Sequence, residues 1–141
     1  KISAVRAVEG DRALLRALHF FGENRRVEKE TDALRRKDIK EFFKVIRSSG
    51  LSSFCWLQNV YSAKNPREQG LSLALCLTEK FFGSECTDAA WRVHGGGFAG
   101  TIQVFVPTER IAEYKAYIEA VFGKGSCHVL SVRSAGAIRV M

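Results

Sequence analysis

The chain has 141 residues, of which 46% are hydrophobic, and its 22 Lys and Arg outnumber its 15 Asp and Glu to give a net charge of +7. This length and apolar content suit one globular unit, so we expect residues 1–141 to form a single domain with its own core. No apolar run approaches the roughly 20 residues of a membrane span, and residues 1–10 lack the apolar segment of a signal peptide. The composition therefore argues against membrane and secreted proteins.

Four cysteines are spread along the chain without any C-x-x-C spacing: Cys55, Cys76, Cys86 and Cys127. In a chain of this size they are typical of buried free thiols in a reducing compartment, so we expect a cytoplasmic protein. The chain begins at Lys1 rather than at Met, and patterned sequence follows immediately. We therefore expect it to be a portion of a longer protein.

The first half of the chain predicts two amphipathic helices. Between residue 11 and about residue 37, apolar side chains recur at steps of three, four and seven, which indicates one long helix. Asp38 is a suitable N-cap for a second helix, and Gly50 is its predicted end. Residues 51–65 favour neither a helical nor an irregular conformation.

A third helix is predicted from Pro66 to Phe82. Asn65 is a favourable N-cap, proline is favoured at the first helical position, and Glu68 adds an acidic residue to the first turn. The leucines that follow cover most of the helix circumference, so we expect this helix to be packed on several sides.

After Gly83 the hydrophobic period changes from 3.6 to 2, which indicates a change from helix to strand. Residues 91–93 and 101–106 are predicted strands on either side of a glycine-rich loop. A further helix is predicted over residues 108–122 and ends at Gly123.

The last part of the chain predicts two more strands, over residues 127–133 and 137–141, joined by a hairpin turn at residues 134–136. The predicted fold class is therefore α+β, with a four-stranded antiparallel sheet of ferredoxin-like type. The helices over residues 66–82 and 108–122 are expected to pack on one face of that sheet.

The glycine-rich loop is the sharpest local signal, with four glycines among residues 95–100. Because each glycine costs backbone entropy on folding, such a run is favoured where the backbone passes close to another group. The candidate site residues are Gly95, Gly96, Gly97, Phe98 and Gly100. The structural alternative is a turn that packs closely within its own chain.

Three known catalytic loops share letters with this one and are excluded by context. A dinucleotide-binding G-x-G-x-x-G opens a helix, whereas residues 101–104 have strand character. A protein-kinase glycine loop requires H-R-D and D-F-G motifs, and an esterase H-G-G-G element requires a G-x-S-x-G nucleophile elbow. The chain contains none of these motifs.

Other chemistry-bearing residues favour structural roles. Cys127 and His128 are adjacent on a predicted strand and point to opposite faces, so they cannot pair as nucleophile and base. His19 lies near the apolar face of the first helix and is interpreted as structural. The cysteines and His94 show no zinc-ligand spacing, so we expect no metal site.

The basic residues of the first helices do not indicate a nucleic-acid partner. Thirteen Lys and Arg among residues 1–50 are interleaved with eight Asp and Glu. This mixture is typical of a solvated helix surface with pairs of opposite charge at i,i+4.

Several stretches resemble the galactokinases of the GHMP kinase family. Residues 92–101, R-V-H-G-G-G-F-A-G-T, resemble the third motif of the family in its galactokinase form, R-x-T-G-G-G-F-G-G-C. Residues 16–26 are similar to the helix R-A-R-H-x-x-x-E-x-x-R, and residues 33–38 to the following A-L-x-x-G-D. Residues 134–137 match the S-A-G-A tail. These matches keep their order and resemble the C-terminal domain of a galactokinase.

The sequence departs from the family pattern at several positions. His94 stands where the family has Thr, Ala99 where it has Gly, and Thr101 where it has Cys. Residues 65–69, N-P-R-E-Q, stand where galactokinases usually have C-P-E-L-D. These departures leave open a branch that acts on another sugar, or a non-catalytic sensor or interaction domain derived from a kinase.

The resemblance implies ATP- and Mg²⁺-dependent phosphorylation of the anomeric hydroxyl of galactose or a related sugar. It also implies that the catalytic residues and the phosphate loop belong to an N-terminal domain, the expected partner of this chain. The glycine loop is expected to shape the cleft, with no catalytic residue, no metal ligand and no bound cofactor in this chain alone. Self-pairing as a homodimer is a further expectation, with Trp91, Phe98 and residues 54–60 as the candidate exposed surface.

Overall fold

The computed structural model describes residues 1–98 and 100–132. Within these residues it contains four α-helices, α1 (Ile2–Arg35), α2 (Ile39–Ser52), α3 (Gly70–Phe82) and α4 (Ile111–Phe122), and two strands, β1 (Ala90–His94) and β2 (Thr101–Phe105). A π-helical turn covers Ser53–Leu57 and a 3-10 turn covers Thr108–Arg110. The chain divides into two compact units, Lys1–Pro107 and Thr108–Met141.

The long first helix is confirmed, with an additional helical segment before it. Gly10 has φ +80° and ψ 173°, so the backbone of α1 is interrupted there and resumes at Asp11. Glycine adopts this backbone region without the steric cost that a Cβ would add. The predicted start at residue 11 therefore coincides with the start of the main segment.

The C-terminal end of α1 is closed by a Schellman motif. The N–H of Lys37 donates to the carbonyl of Leu34 at 3.0 Å, and the N–H of Asp38 donates to the carbonyl of Ala33 at 2.8 Å. Lys37 has φ +57°, the left-handed conformation that this motif requires and that glycine usually supplies. This is the position at which the A-L-x-x-G-D stretch of galactokinases has its glycine.

The second helix begins as predicted and ends later than predicted. The Asp38 carboxylate accepts a hydrogen bond from the backbone N–H three residues further on, at 3.0 Å. Gly50 does not end α2, which continues directly into the π-helical turn and stops before Gln58 at φ +56°. A Cβ on Gly50 would lie 2.9 Å from the carbonyl oxygen of Trp91, so this glycine permits close packing of α2 on β1.

The third helix begins at Gly70 rather than at Pro66. The N–H of Glu68 donates to the carbonyl of Asn65 at 3.2 Å, which places the predicted helix start in a turn. The end of α3 is confirmed, because Gly83 follows its last residue with φ +89°.

The two strands form an antiparallel hairpin around the glycine-rich loop. Trp91 pairs with Val104, and His94 pairs with Thr101 next to the loop. The predicted strand, glycine loop, strand unit is therefore confirmed.

The core of the first unit lies where α2 and α3 pack on the hairpin. The rings of Phe42 and Phe43 contact Phe105 of β2, with centroids 5.4 and 5.8 Å apart. Phe82 of α3 stacks on the Trp91 indole at 6.0 Å. Other buried apolar residues of this unit are Ala33, Val45, Ile46, Val60, Ala89, Ala90 and Val93.

The second unit contains the helix predicted over residues 108–122. The 3-10 turn leads into α4, in which Tyr114 and Ile118 are buried. Gly123 follows the helix with φ +92° and is its predicted end.

The four-stranded ferredoxin-like sheet is wrong, because the described residues contain a two-stranded sheet only. Residues 127–132 are irregular, and Val129, Leu130 and Val132 are 56%, 88% and 93% exposed. An alternating apolar pattern raises strand propensity, but a strand also needs a neighbouring backbone and a covered face. The hairpin turn at residues 134–136 and the strand at 137–141 lie outside the described residues.

All four cysteines are free thiols, as predicted, but Cys55 and Cys76 are exposed, so their predicted burial is wrong. Across residues 1–98 and 100–132, no helix combines the length and the apolar character needed to cross a membrane.

Candidate functional site: the glycine loop and its ionic support

The loop between β1 and β2 has an unusual backbone conformation. Gly95 and Gly97 have φ +64° and +75°, and Phe98 has φ +60°. The first two angles explain why glycine stands at these positions, since a Cβ raises the energy of the left-handed region. Phe98 is not a glycine and therefore bears the steric cost of this backbone angle, and its side chain is 48% exposed.

The predicted close approach of the loop backbone is present, and the neighbour is Asn59. The N–H of Phe98 donates to the carbonyl of Asn59 at 2.7 Å, and the Asn59 side-chain amide donates to the carbonyl of Gly96 at 3.3 Å. A Cβ on Gly97 would lie only 2.1 Å from the Asn59 carbonyl oxygen. Gly97 is therefore required by contact within this chain.

Asn59 holds the loop from a buried position. It is 2% exposed, and its side-chain oxygen Oδ1 is buried without a hydrogen-bond partner among the residues that the structure describes. The sequence does not identify Asn59 as a contact of the loop. This residue lies within residues 51–65, for which the sequence predicts no preferred conformation.

The outer edge of the loop is open. Among the described residues, a Cβ on Gly95 or on Gly96 would meet no atom within 4 Å, and a Cβ on Gly100 would make ordinary contacts at 3.6 Å. The five predicted site residues therefore divide into a tethered part at Gly97 and Phe98 and an accessible backbone edge at Gly95 and Gly96. Such an edge leaves room for a ligand or another segment to approach the backbone.

A half-buried ionic cluster supports the strand that enters the loop. Glu23 of α1 accepts hydrogen bonds from Ser49 Oγ of α2 at 2.6 Å and from Arg92 Nη1 of β1 at 3.3 Å. Arg92 Nη1 also donates to Ser49 Oγ at 3.0 Å, and Arg26 Nε donates to the second Glu23 oxygen at 2.8 Å. The cluster links three elements, and its Arg92 lies three residues before the first residue of the loop, Gly95.

Electrostatics differ between the two carboxylates of this region. Burial raises the pKa of Glu23, but the hydrogen bonds from Ser49 and Arg26 and the charges of Arg26 and Arg92 together lower it below its usual range. Burial raises the pKa of Glu30, with Arg92 opposing this effect, and Glu30 Oε1 is buried with no hydrogen-bond partner in the described part of the chain. Glu23 is thus the ionised anchor of the cluster.

His19 has the structural role that the sequence predicts. It is 7% exposed, and its Nδ1 lies 2.9 Å from Ser52 Oγ at the end of α2. Burial lowers the pKa of His19 despite the nearby charge of Glu23, so the imidazole is neutral at physiological pH. It ties α1 to α2.

The other sequence-level candidates stay apart. His94 is exposed at the end of β1, and within the described part of the chain no three His, Cys, Asp or Glu residues gather to hold a metal ion. Trp91 is only 7% exposed, so the prediction that it belongs to an exposed surface for self-pairing is wrong. Its indole carries the Arg47 guanidinium at 4.5 Å, a cation–π contact that the sequence did not indicate.

Comparison with known proteins relates the chain to a sugar kinase. No model of a known protein family matches it, and no solved structure matches it. The chain is similar to a galacturonokinase of Arabidopsis thaliana, with 32% identity over 109 residues. The matched stretch is 77% of this chain but 23% of that kinase, so the chain spans about a quarter of the relative's length.

This similarity corrects the scope of the galactokinase expectation. It supports a relation to sugar kinases and does not single out galactokinases among them. The structure adds that two stretches resembling galactokinases, residues 16–26 and 92–101, meet through the ion pair between Glu23 and Arg92.

Proposed function

We propose that this chain is the C-terminal part of an ATP-dependent sugar 1-kinase, in which the glycine loop borders the substrate cleft. The observation that carries the proposal is the contact between the two resembling stretches. Glu23 and Arg92 are 69 residues apart in sequence, yet they form a hydrogen-bonded pair, and Arg92 belongs to the strand that leads into the loop. The similarity to a sugar kinase over 77% of the chain supports the same reading.

In the proposed reaction the anomeric hydroxyl oxygen of the sugar attacks the γ-phosphorus of ATP. The new O–P bond replaces the bond to the bridging oxygen, ADP leaves, and the hydroxyl proton passes to a base. Phosphoryl transfer of this kind depends on positioning and on stabilisation of charge. Following the resemblance to the GHMP kinases, we assign the Mg²⁺ ligands, the phosphate cradle and the base to the N-terminal domain of the enzyme.

The role of this chain in the reaction is to hold one wall of the cleft in place. Asn59 bonds to the loop at two points, and the cluster of Glu23, Ser49 and Arg92 fixes the strand before it. A loop that is ordered before substrate binds loses less conformational entropy when the site closes. The open edge at Gly95 and Gly96 is where we place the approach of the partner domain.

The proposed sugar is of the galactose type, either galactose itself or its 6-carboxylate, galacturonate. The resemblance of the glycine motif favours galactose, and the name of the matched relative favours galacturonate. The two sugars differ only in the group at C6, so assays with both decide between them.

The proposal is tested by a chimeric kinase. The 109 aligned residues of the Arabidopsis galacturonokinase are replaced by the matching residues of this chain, and ADP release is measured with each sugar. We expect turnover with at least one of the two sugars, because the replaced part supplies a wall and no reacting group.

The control is the same chimera with Gly96→Ala, which places a methyl group at the open edge of the loop. We expect this variant to fold normally and to have a lower kcat/KM. A folded chimera without any turnover would contradict the kinase proposal and favour a non-catalytic interaction domain.

A further inference from the structure

A groove of about 580 Å³ lies on the first unit, between α1 and the segment formed by the C-terminal part of α2 and the π-helical turn. Its wall on α1 extends from Leu15 to Lys29, and Trp56 of the π-helical turn lies on the opposite side. Fourteen residue steps at a rise of 1.5 Å correspond to about 21 Å of helix. The groove is therefore about as long as a four-turn helical segment.

One end of the groove is apolar and exposed. Leu18, Phe21 and Trp56 are 47%, 61% and 44% exposed, and Leu15 lies beside them. Large aromatic and aliphatic side chains that share an exposed depression are typical of an interaction site, because their burial stabilises a complex.

The other end of the groove is cationic. Arg25, Arg26 and Lys29 line it, and none of the described carboxylates does. Arg26 is already paired with Glu23, whereas Arg25 and Lys29 are exposed and form no ion pair within residues 1–98 and 100–132. Two free cations beside an apolar surface match a partner that carries carboxylates next to apolar side chains.

We propose that this groove is the docking site of a helical segment of a partner protein. The side chains that face the groove are apolar in one half of the segment's length and Asp or Glu in the other half. The apolar half fills the space at Leu18, Phe21 and Trp56, and the acidic half pairs with Arg25 and Lys29. A helix in a groove is a common mode of recognition, and its length matches that of the groove. This inference does not depend on the proposed kinase function.

The test uses the 141-residue chain and a fluorescein-labelled peptide of about 16 residues, long enough for four turns. Its leucines lie at i, i+3, i+4 and i+7 in one half, and its glutamates lie in the other half. Fluorescence anisotropy is expected to show saturable binding that weakens when salt rises from about 0.1 M to about 1 M, since this shortens the screening length from ~10 to ~3 Å.

Two variants of the chain examine the two halves of the groove. Phe21→Ser removes an apolar contact, and Arg25→Glu with Lys29→Glu reverses the cationic end; each is expected to weaken binding at least about tenfold. The matched control is Lys64→Glu with Lys80→Glu, which makes the same charge change at exposed positions outside the groove. It is expected to leave binding unchanged, and circular dichroism checks that every variant is folded.

The proposal is overturned by any of five results. The first is equally tight binding of a peptide with lysines in place of the glutamates. The second is binding of the groove variants as tight as that of the wild type, and the third is no binding at millimolar peptide. The fourth is sedimentation that shows a dimer of the chain which Phe21→Ser abolishes, since a second copy would then occupy the groove. Equally tight binding of a single-stranded oligonucleotide that depends on Arg25 and Lys29 but not on Phe21 would instead indicate a nucleic-acid partner.

Discussion

At the scale of single residues, Gly97 and Lys37 share the left-handed backbone region and differ in their surroundings. Gly97 has φ +75° and no room for a Cβ, because the Asn59 carbonyl oxygen would lie 2.1 Å away. Lys37 has φ +57° on the exposed surface, so only its own backbone opposes the conformation. Replacing either residue therefore has an effect of predictable sign.

Gly97→Ala is expected to lower the free energy of unfolding by about 3 kcal/mol, from the clash with Asn59 and the cost of a Cβ at positive φ. Urea denaturation measures the loss. The control is Gly96→Ala, whose Cβ meets no atom within 4 Å and which should change stability by less than about 1 kcal/mol. Equal effects of the two substitutions would contradict the assigned contact.

The resemblance to the GHMP kinases leads to a different expectation, that a side chain at Gly97 would lower ATP turnover more than stability. That expectation placed the close neighbour on a phosphate loop. The neighbour is the backbone of Asn59 in the same chain, so the cost falls on folding first.

Lys37→Gly is expected to raise the free energy of unfolding by about 0.5 kcal/mol. Glycine removes the steric cost of the left-handed angle, and its larger entropy in the unfolded chain offsets part of the gain. Arg36→Gly at the neighbouring position, where φ is −83°, should lower stability by a similar amount. Thermal denaturation of both variants should give melting temperatures on opposite sides of the wild type.

At the scale of elements, the cluster around Glu23 joins α1, α2 and β1. Each of these elements has local signals of its own, but the cluster sets how they lie against one another. A carboxylate paired with two guanidinium groups is difficult to replace, because its removal leaves positive charge without compensation. The pKa of Glu30, on the same helix, is shifted in the opposite direction, because burial raises it.

Glu23→Gln is expected to lower the free energy of unfolding at pH 7 by about 2 kcal/mol through loss of charge-assisted hydrogen bonds. The folded-state pKa of Glu23 lies below the ordinary value of 4.5. Its contribution is therefore present above pH 4.5 and is lost as pH falls through the folded-state pKa. Denaturant titrations from pH 7 to pH 3 should show the difference from wild type shrinking in that window.

Glu30→Gln is the matched control, because burial raises the pKa of Glu30. Ionisation of this group opposes folding as pH rises above its ordinary value, so the amide should leave stability at pH 7 unchanged or higher. A loss at pH 7 equal to that of Glu23→Gln would show that both carboxylates serve as anchors.

At the scale of the whole molecule, the described residues would form one wall of a cleft in the proposed kinase rather than a complete reaction centre. They contain no group of metal-ligating side chains, and the aligned relative is about four times longer than the matched stretch. In the proposed kinase, the activity would require the N-terminal domain that the family resemblance implies.

The 141-residue chain alone is expected to transfer no phosphate from ATP to galactose or galacturonate and to bind neither ligand tightly, because one wall of a cleft cannot align two substrates. Purified chain is incubated with ATP, Mg²⁺ and each sugar, and ADP release is compared with a no-protein control. Release well above the control would refute the prediction and place the reacting groups within these residues.

Much of the secondary structure follows from local sequence. The helix from residue 11, the Asp38 cap, the hairpin around the glycine loop and the helix ending at Gly123 are all predicted and present. Their signals are periodicity, capping chemistry and turn residues, which act over a few neighbours and need no knowledge of the remaining fold. The glycine run likewise predicts a close backbone contact, although it does not identify the contacting residue.

Only the tertiary structure determines which residues pack against these elements. Gly50 resembles a helix end, but it is the place where α2 packs on Trp91. Residues 127–132 alternate like a strand and are irregular, because a strand requires a partner that local sequence does not specify. The link from Glu23 to Arg92 and the hold of Asn59 on the loop join residues far apart in the chain, and only the packing of α1, α2 and β1 brings them within hydrogen-bond distance.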